Sequence, residues 1–219
     1  MTPQQARAAI VRVGRSLYER GLVHAYAGNL SVRLDDGSLL ITPTDACLGV
    51  LDPARLAWVG PDGRQRDGDP ASKTLALHRR IYQAAPQVAC VLHTHSHHLV
   101  QLTLAGVWRP DCVLPPITPY QVMKAGPVPL LPCPLPGAHE VAHAVAAELA
   151  RRPSLRGVLL ERLGPVVWHA DPDRTSAVLE ELEATARLWL ACTPRPAPLS
   201  MQQIQALCDR FGASWDAPS

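Results

Sequence analysis

Apolar residues recur at Ala6, Ile10, Val13, Leu17 and Leu22, a helical spacing that predicts a helix from Pro3 to Leu22 with Gly21 as its stop. The period then shortens to two. Leu30, Val32 and Leu34 alternate with polar residues as in a strand, Asp35-Asp36-Gly37 makes a hairpin turn, and Ser38 to Thr42 returns as the partner. Pro43-Thr44-Asp45 breaks that strand, and Leu56 to Val59 forms another before the turn Pro61-Asp62-Gly63. Leu75, Leu77, His78, Ile81 and Tyr82 restore the helical period, with Ser72 or Thr74 as the cap and Pro86 as the stop. An unbroken apolar run, Val88 to Leu92, predicts a buried strand leading into His93-Thr94-His95-Ser96-His97-His98. A helix opens from His97 to Gly106, and a strand-like Val128 to Leu131 lies in an irregular proline-rich stretch, 109–136. A helix from Glu140 to Ala150 follows, then strands at Val158 to Leu160 and Pro165 to Trp168 around the turn Arg162-Leu163-Gly164. A long amphipathic helix runs from Asp171 to Leu190, and from about residue 193 a short tail holds one more helix near Ser200 to Phe211. Strands and helices mix and hairpins join the early strands, so the pattern predicts one α/β domain over 1–219, with a largely antiparallel central sheet and helices on both faces.

Composition narrows the function. The formal charge of +2 gives no reason to expect nucleic acid or an anionic membrane as partner. No apolar stretch nears the ~20 residues that span a bilayer. The first residues lack the apolar core of a signal peptide, and the six cysteines are scattered without a CxxC pair. A cytoplasmic protein with reduced thiols is expected. In a strand, residues two apart share a side, so His93 and His95 present two imidazoles together near a strand end. Two neutral imidazoles suit a divalent metal such as zinc, which needs a third protein ligand, although the same pair also suits partly exposed strand histidines.

Several motifs stand in register. Gly28-Asn29-Leu30-Ser31-Val32-Arg33, Ile41-Thr42-Pro43-Thr44, Leu77-His78 with Ile81-Tyr82, and His93-Thr94-His95-Ser96 resemble the class II aldolase/adducin family from about residue 5 to 192. Pro116 to Tyr120 with Met123, Pro136-Gly137, Gly164 to Val167 and Glu180 to Glu183 are similar to its branch of 3-oxo-tetronate 4-phosphate decarboxylases. The resemblance implies a three-layer α/β/α sandwich, assembled as a homotetramer with sites between subunits. It implies a carbon–carbon lyase with a metal-stabilised enolate, decarboxylating a small 3-oxo sugar acid or its phosphate. An aldolase on a small sugar, or a non-catalytic or repurposed member of the fold, is the alternative.

The resemblance also assigns roles. Gly28, Asn29, Thr44 and Ser72 would cradle the substrate's phosphate, and Lys73 would add charge. The residue chemistry itself also offers Lys73 as a base or imine-forming amine if desolvated, and Tyr120 as a proton donor from a neighbouring subunit. His93 and His95 would hold zinc or manganese. Three departures stand out. Asp45 replaces a glycine beside the phosphate, Thr74 replaces the catalytic glutamate four residues before His78, and Leu163 replaces the third metal histidine. His169 or Glu161 is then the candidate for a third ligand, and weak or partial metal occupancy is expected.

Overall fold

The computed structural model describes residues 1–133, 135 and 137–216; Pro136 of the Pro136-Gly137 pair lies outside them. Helix α1 (Pro3–Glu19) begins at a capping box, in which the Thr2 hydroxyl accepts from the Gln5 N–H and the Gln5 side chain returns to the Thr2 N–H. Strands β1 (Asn29–Arg33), β2 (Leu39–Ile41), β3 (Ala57–Val59) and β4 (Gln65–Asp67) follow as an antiparallel meander. Helix α2 (Leu75–Ala84) returns the chain to β5 (Cys90–His93), and helix α3 (His97–Ala105) leaves the His93 end of that strand. Beyond the proline-rich stretch come β6 (Leu130–Leu131), α4 (His139–Arg151), β7 (Gly157–Leu160), β8 (Gly164–His169), α5 (Pro172–Ala191) and α6 (Met201–Phe211).

All eight strands form one sheet in the order β4-β3-β2-β1-β5-β8-β7-β6. The β6–β7 pair is parallel and the other pairs are antiparallel. Leu30, Val32, Leu92 and Val167 on one face pack against Ile10 and Leu17 of α1, Leu99 of α3 and Leu179 of α5. Ile41, Val59, Val91, Val166 and Trp168 on the other face pack against Ile81 of α2 and Val145 of α4. These are the expected three layers. No helix among the described residues is long and apolar enough to cross a membrane.

Among the described residues, short 3-10 turns at Leu48–Val50 and Pro53–Arg55 and two further elements escape the sequence pattern. Strand β4 is exposed along its whole length and reads Gln-Arg-Asp, so it has no apolar face to announce it. Gln121–Ala125 forms a π-helical turn inside the proline-rich stretch. In β1 the polar positions are covered as well as the apolar ones, since Asn29 and Ser31 are buried beneath α2. The polar face of β1 is taken up by His78 and Tyr82 of α2.

Candidate active site

The site is built where β5 ends. Its neighbour β1 pairs Asn29 with His93 and Ser31 with Val91, which puts Asn29, Ser31 and His93 on the α2 side of the sheet. Helix α2 lays His78 across this face. The His78 Nε2–Asn29 Oδ1 distance is 2.6 Å and the Nδ1–Ser31 Oγ distance is 2.7 Å. An amide oxygen only accepts, so Nε2 carries the proton and Ser31 donates to Nδ1. Tyr82, one turn on, adds its hydroxyl at 2.8 Å from Ser31 Oγ. Burial, then His93, pushes the His78 imidazole down to about 3, which keeps it neutral. His78 therefore fixes Asn29, leaving the amide NH₂ for the site. The sequence offered one signal for this, since His78 lies on the same helical stripe as Ile81 and Tyr82.

His93 is buried, and its Nδ1 donates to the Pro165 carbonyl at 2.9 Å. Burial, then neighbouring His95, lowers it to about 4 against the opposing pull of that carbonyl. The ring is neutral and Nε2 keeps its lone pair. The His95 ring lies 5.0 Å from it, edge to face, and is lowered by burial and by His24. The segment is held tightly. Thr94 Oγ1 lies 2.6 Å from Ser96 Oγ, which donates to the Leu22 carbonyl, and a Cβ on Gly28 would stand 2.8 Å from the His93 carbonyl. Gly28 also has φ +87°, so glycine is required there twice over.

One cavity is lined by Lys73, Thr74, Leu77, His93, Leu160 and Leu163, together with Val141, Ala138, Gly137 and Cys133. The expected positions of Lys73, Thr74, His93 and Leu163 thus converge. Cys133 and Leu160 were not singled out in the sequence; neither belongs to a motif, and both arrive through tertiary packing. The Arg162-Leu163-Gly164 turn is pressed onto the histidine segment, since a Cβ on Gly164 would stand 2.2 Å from the Thr94 carbonyl. Arg162 adopts φ +59°, a strained value for its type.

The substrate-cradle residues divide. The 44 and 72 loops are joined by the Pro43–Ala71 bridge, with Thr44 N–H to Pro70 and Ser72 N–H to Thr42. The Thr44 hydroxyl donates to the Ala71 carbonyl, and Ser72 Oγ lies 2.9 Å from Thr74 Oγ1. Thr44 opens onto a neighbouring depression with Asp45, Asp52, Asp69 and Arg55, the last ion-paired to Asp69 at 2.5 Å. Asp45 has φ +55°, a conformation that suits glycine and that aspartate tolerates. Tyr120 is 61% exposed and does not line the His93 cavity.

The two candidates for a third metal ligand lie apart from His93. In the β5–β8 register His93 faces Val166 while His169 faces Cys90. Three residues of strand, about 10 Å, hold His169 away from the site. Glu161 lines an adjoining depression with Arg162 and Glu140, outside the cavity of His93. Among the described residues no three histidine, cysteine or carboxylate groups are arranged to hold a metal ion. The residues present do not fit the metal centre that the resemblance implies, because its third position is hydrocarbon.

Residues 8–190 match the model of the Class II Aldolase and Adducin N-terminal domain. A 3-oxo-tetronate 4-phosphate decarboxylase of Cupriavidus necator is 53% identical over 219 residues, spanning 98% of this chain and 99% of the relative. Its counterpart in Escherichia coli K12 is 39% identical over 193 residues, 88% of this chain and 90% of that one. The solved structure of YgbL from Klebsiella pneumoniae, described as an aldolase, epimerase or decarboxylase, superposes with TM-score 0.88 at 41% identity, covering 94% of this chain and 99% of that one. An L-fuculose 1-phosphate aldolase at 21% identity shares the fold, with TM-score 0.81 over 97% of this chain and 98% of its own. By these matches, and by the motifs that meet at His93, the chain belongs to the class II aldolase/adducin family.

Proposed function

We propose that this protein is a carbon–carbon lyase, one domain over 1–219, that decarboxylates a small 3-oxo sugar acid of the kind the 3-oxo-tetronate 4-phosphate decarboxylases are named for. The observation that carries the reading is the lining of one cavity by Lys73 and His93, with no carboxylate on its wall among the described residues. A 3-oxo acid loses CO₂ by breaking the C1–C2 bond, and the electron pair flows into the ketone without prior proton removal. A retro-aldol must first lose a hydroxyl proton. Thr74 is no base, and an imidazole at about 4 is a weak one at neutral pH.

Lys73 supplies an ammonium where the ketone oxygen gains charge, a charge-assisted hydrogen bond that strengthens as the enolate forms. The His93 lone pair accepts a substrate hydroxyl and orients it. Leu77, Leu160 and Leu163 strip water from the carboxylate, a loss that neutral CO₂ does not feel. Gly28, Asn29, Thr44 and Ser72 are assigned to the substrate's polar tail, and Tyr120 of a neighbouring subunit to protonation of the enolate carbon. Family members generally depend on a divalent metal. Zinc or manganese would find His93 and His95 alone here, and no step is assigned to it. The assembly we propose is a homotetramer in the cytoplasm, consistent with six free cysteines, acting on a small molecule rather than nucleic acid or membrane.

Parallel assays test the reading. CO₂ release from 3-oxo-tetronate 4-phosphate and from its unphosphorylated acid is measured beside aldehyde release from small sugar phosphates. CO₂ without aldehyde is expected, with kcat lowered at least about 100-fold in Lys73→Met. Aldehyde without CO₂ makes the protein an aldolase. Absence of both products counts against the lyase reading and leaves a non-catalytic member of the fold.

A further inference from the structure

We propose that Leu163 and Thr74 have removed the divalent-metal centre from this chain while leaving its backbone scaffold in place, so that these two side chains alone separate it from a metal protein. The inference stands apart from the reaction proposed above, because it concerns binding of the ion and not turnover.

The scaffold is intact at each corner. His93 is fixed through Nδ1 by the Pro165 carbonyl, which leaves Nε2 as a donor, and His95 sits beside it with ring centroids 5.0 Å apart. The turn that carries Leu163 is locked against them by the close approach of Gly164 to the Thr94 carbonyl, by the Arg162 N–H to Thr103 Oγ1 bond and by the Leu163 N–H to Leu160 bond. Leu163 and Thr74 line the same cavity as His93. What has changed is the chemistry of two positions. Leu163 is packed against the apolar cluster of α2 and α4 and offers no lone pair. Thr74 opens α2 with its hydroxyl 2.9 Å from Ser72 Oγ, a neutral group where an anionic one would offset the ion's charge. A dication there would lose hydration to a leucine wall and gain two neutral nitrogens, an uncompensated transfer.

The test is binding of zinc and cobalt to the full chain after chelator dialysis, read by elemental analysis, titration calorimetry and the cobalt visible spectrum. The wild type is expected to retain well under one equivalent. The double variant Leu163→His/Thr74→Glu is expected to bind one equivalent at least about 100-fold more tightly, since even outer groups at metal sites are worth 10–100-fold. Leu163→Ala, which opens the same space without a donor, should gain nothing, and His95→Ala in the double variant should remove the gain. Circular dichroism verifies that each variant is folded, and Leu163→Cys supplies a second donor should the histidine pair misfold. One tightly held equivalent in the wild type, a gain in Leu163→Ala, or a folded donor variant that binds no better than wild type overturns the proposal.

Discussion

At the scale of single residues, the two buried histidines of the site, His78 and His93, stay uncharged. His78 is wedged between Asn29, Ser31 and Tyr82 on one side and the His93 strand end on the other. The unfolded chain takes up a proton on this ring near 6.5, whereas the folded chain refuses it down to about 3. The group's stabilising contribution is therefore complete above about pH 6.5 and is lost progressively as pH falls towards 3. Urea melts across that window should show stability falling, with a shallower fall in His78→Gln, which cannot titrate; equal slopes would show the imidazole is not the source. His78→Ala should cost about 3 kcal/mol at pH 7.5, because it orphans the buried Asn29 and Ser31 groups. Asp45 sets a second expectation. Its φ of +55° is native to glycine, and its carboxylate joins Asp52 and Asp69 in the depression beside Thr44. Asp45→Gly should lower KM for the phosphorylated acid about tenfold, the worth of one repulsive charge a few ångströms away in a partly solvated site, and leave KM for the free acid nearly unchanged. Equal change for both substrates would place the phosphate elsewhere.

At the scale of elements, the histidine segment is gripped from a helix that contributes nothing to the cavity. Glu183 of α5 is buried and accepts from the N–H groups of His98 and Leu99 and from His98 Nδ1, at 2.8–3.0 Å. A carboxylate from another helix thus caps α3 where its own sequence supplies no side-chain cap. Glu183→Ala should cost about 2–3 kcal/mol and speed amide exchange at His98 and Leu99, while exchange in α4 stays unchanged. Uniform acceleration across the fold would mean global destabilisation and no local cap. The long helices and both hairpins were legible in the sequence because their buried stripes have a clean period. Strand β4 was not, since an exposed edge strand needs no apolar face, and neither was the cap of α3, whose donor and acceptor lie 85 residues apart.

At the scale of the molecule, Tyr26 and Val50 remain 68% and 78% exposed beside Thr44, and Tyr120 projects from the proline-rich stretch. Apolar groups left open around a site are suited to burial by another copy of the chain. Light scattering at micromolar concentration should give the mass of a tetramer, and Val50→Asp should lower it; a monomeric wild type would remove Tyr120 from the proposed chemistry. Periodicity determined the layers and the hairpins, because those follow from spacing along one strand or one helix, whereas His95 lies past the end of β5 and its place 5.0 Å from His93 is a tertiary result. Motif register determined where Thr74 and Leu163 would fall. Tertiary structure alone decided that they face the same cavity as His93 and Lys73, that Asn29 is held by His78, and that His169 lies at the wrong end of its strand. Spacing along β5 says nothing about a residue on another strand. Its distance is set by the register between β5 and β8, which is fixed by the packing of both faces at once.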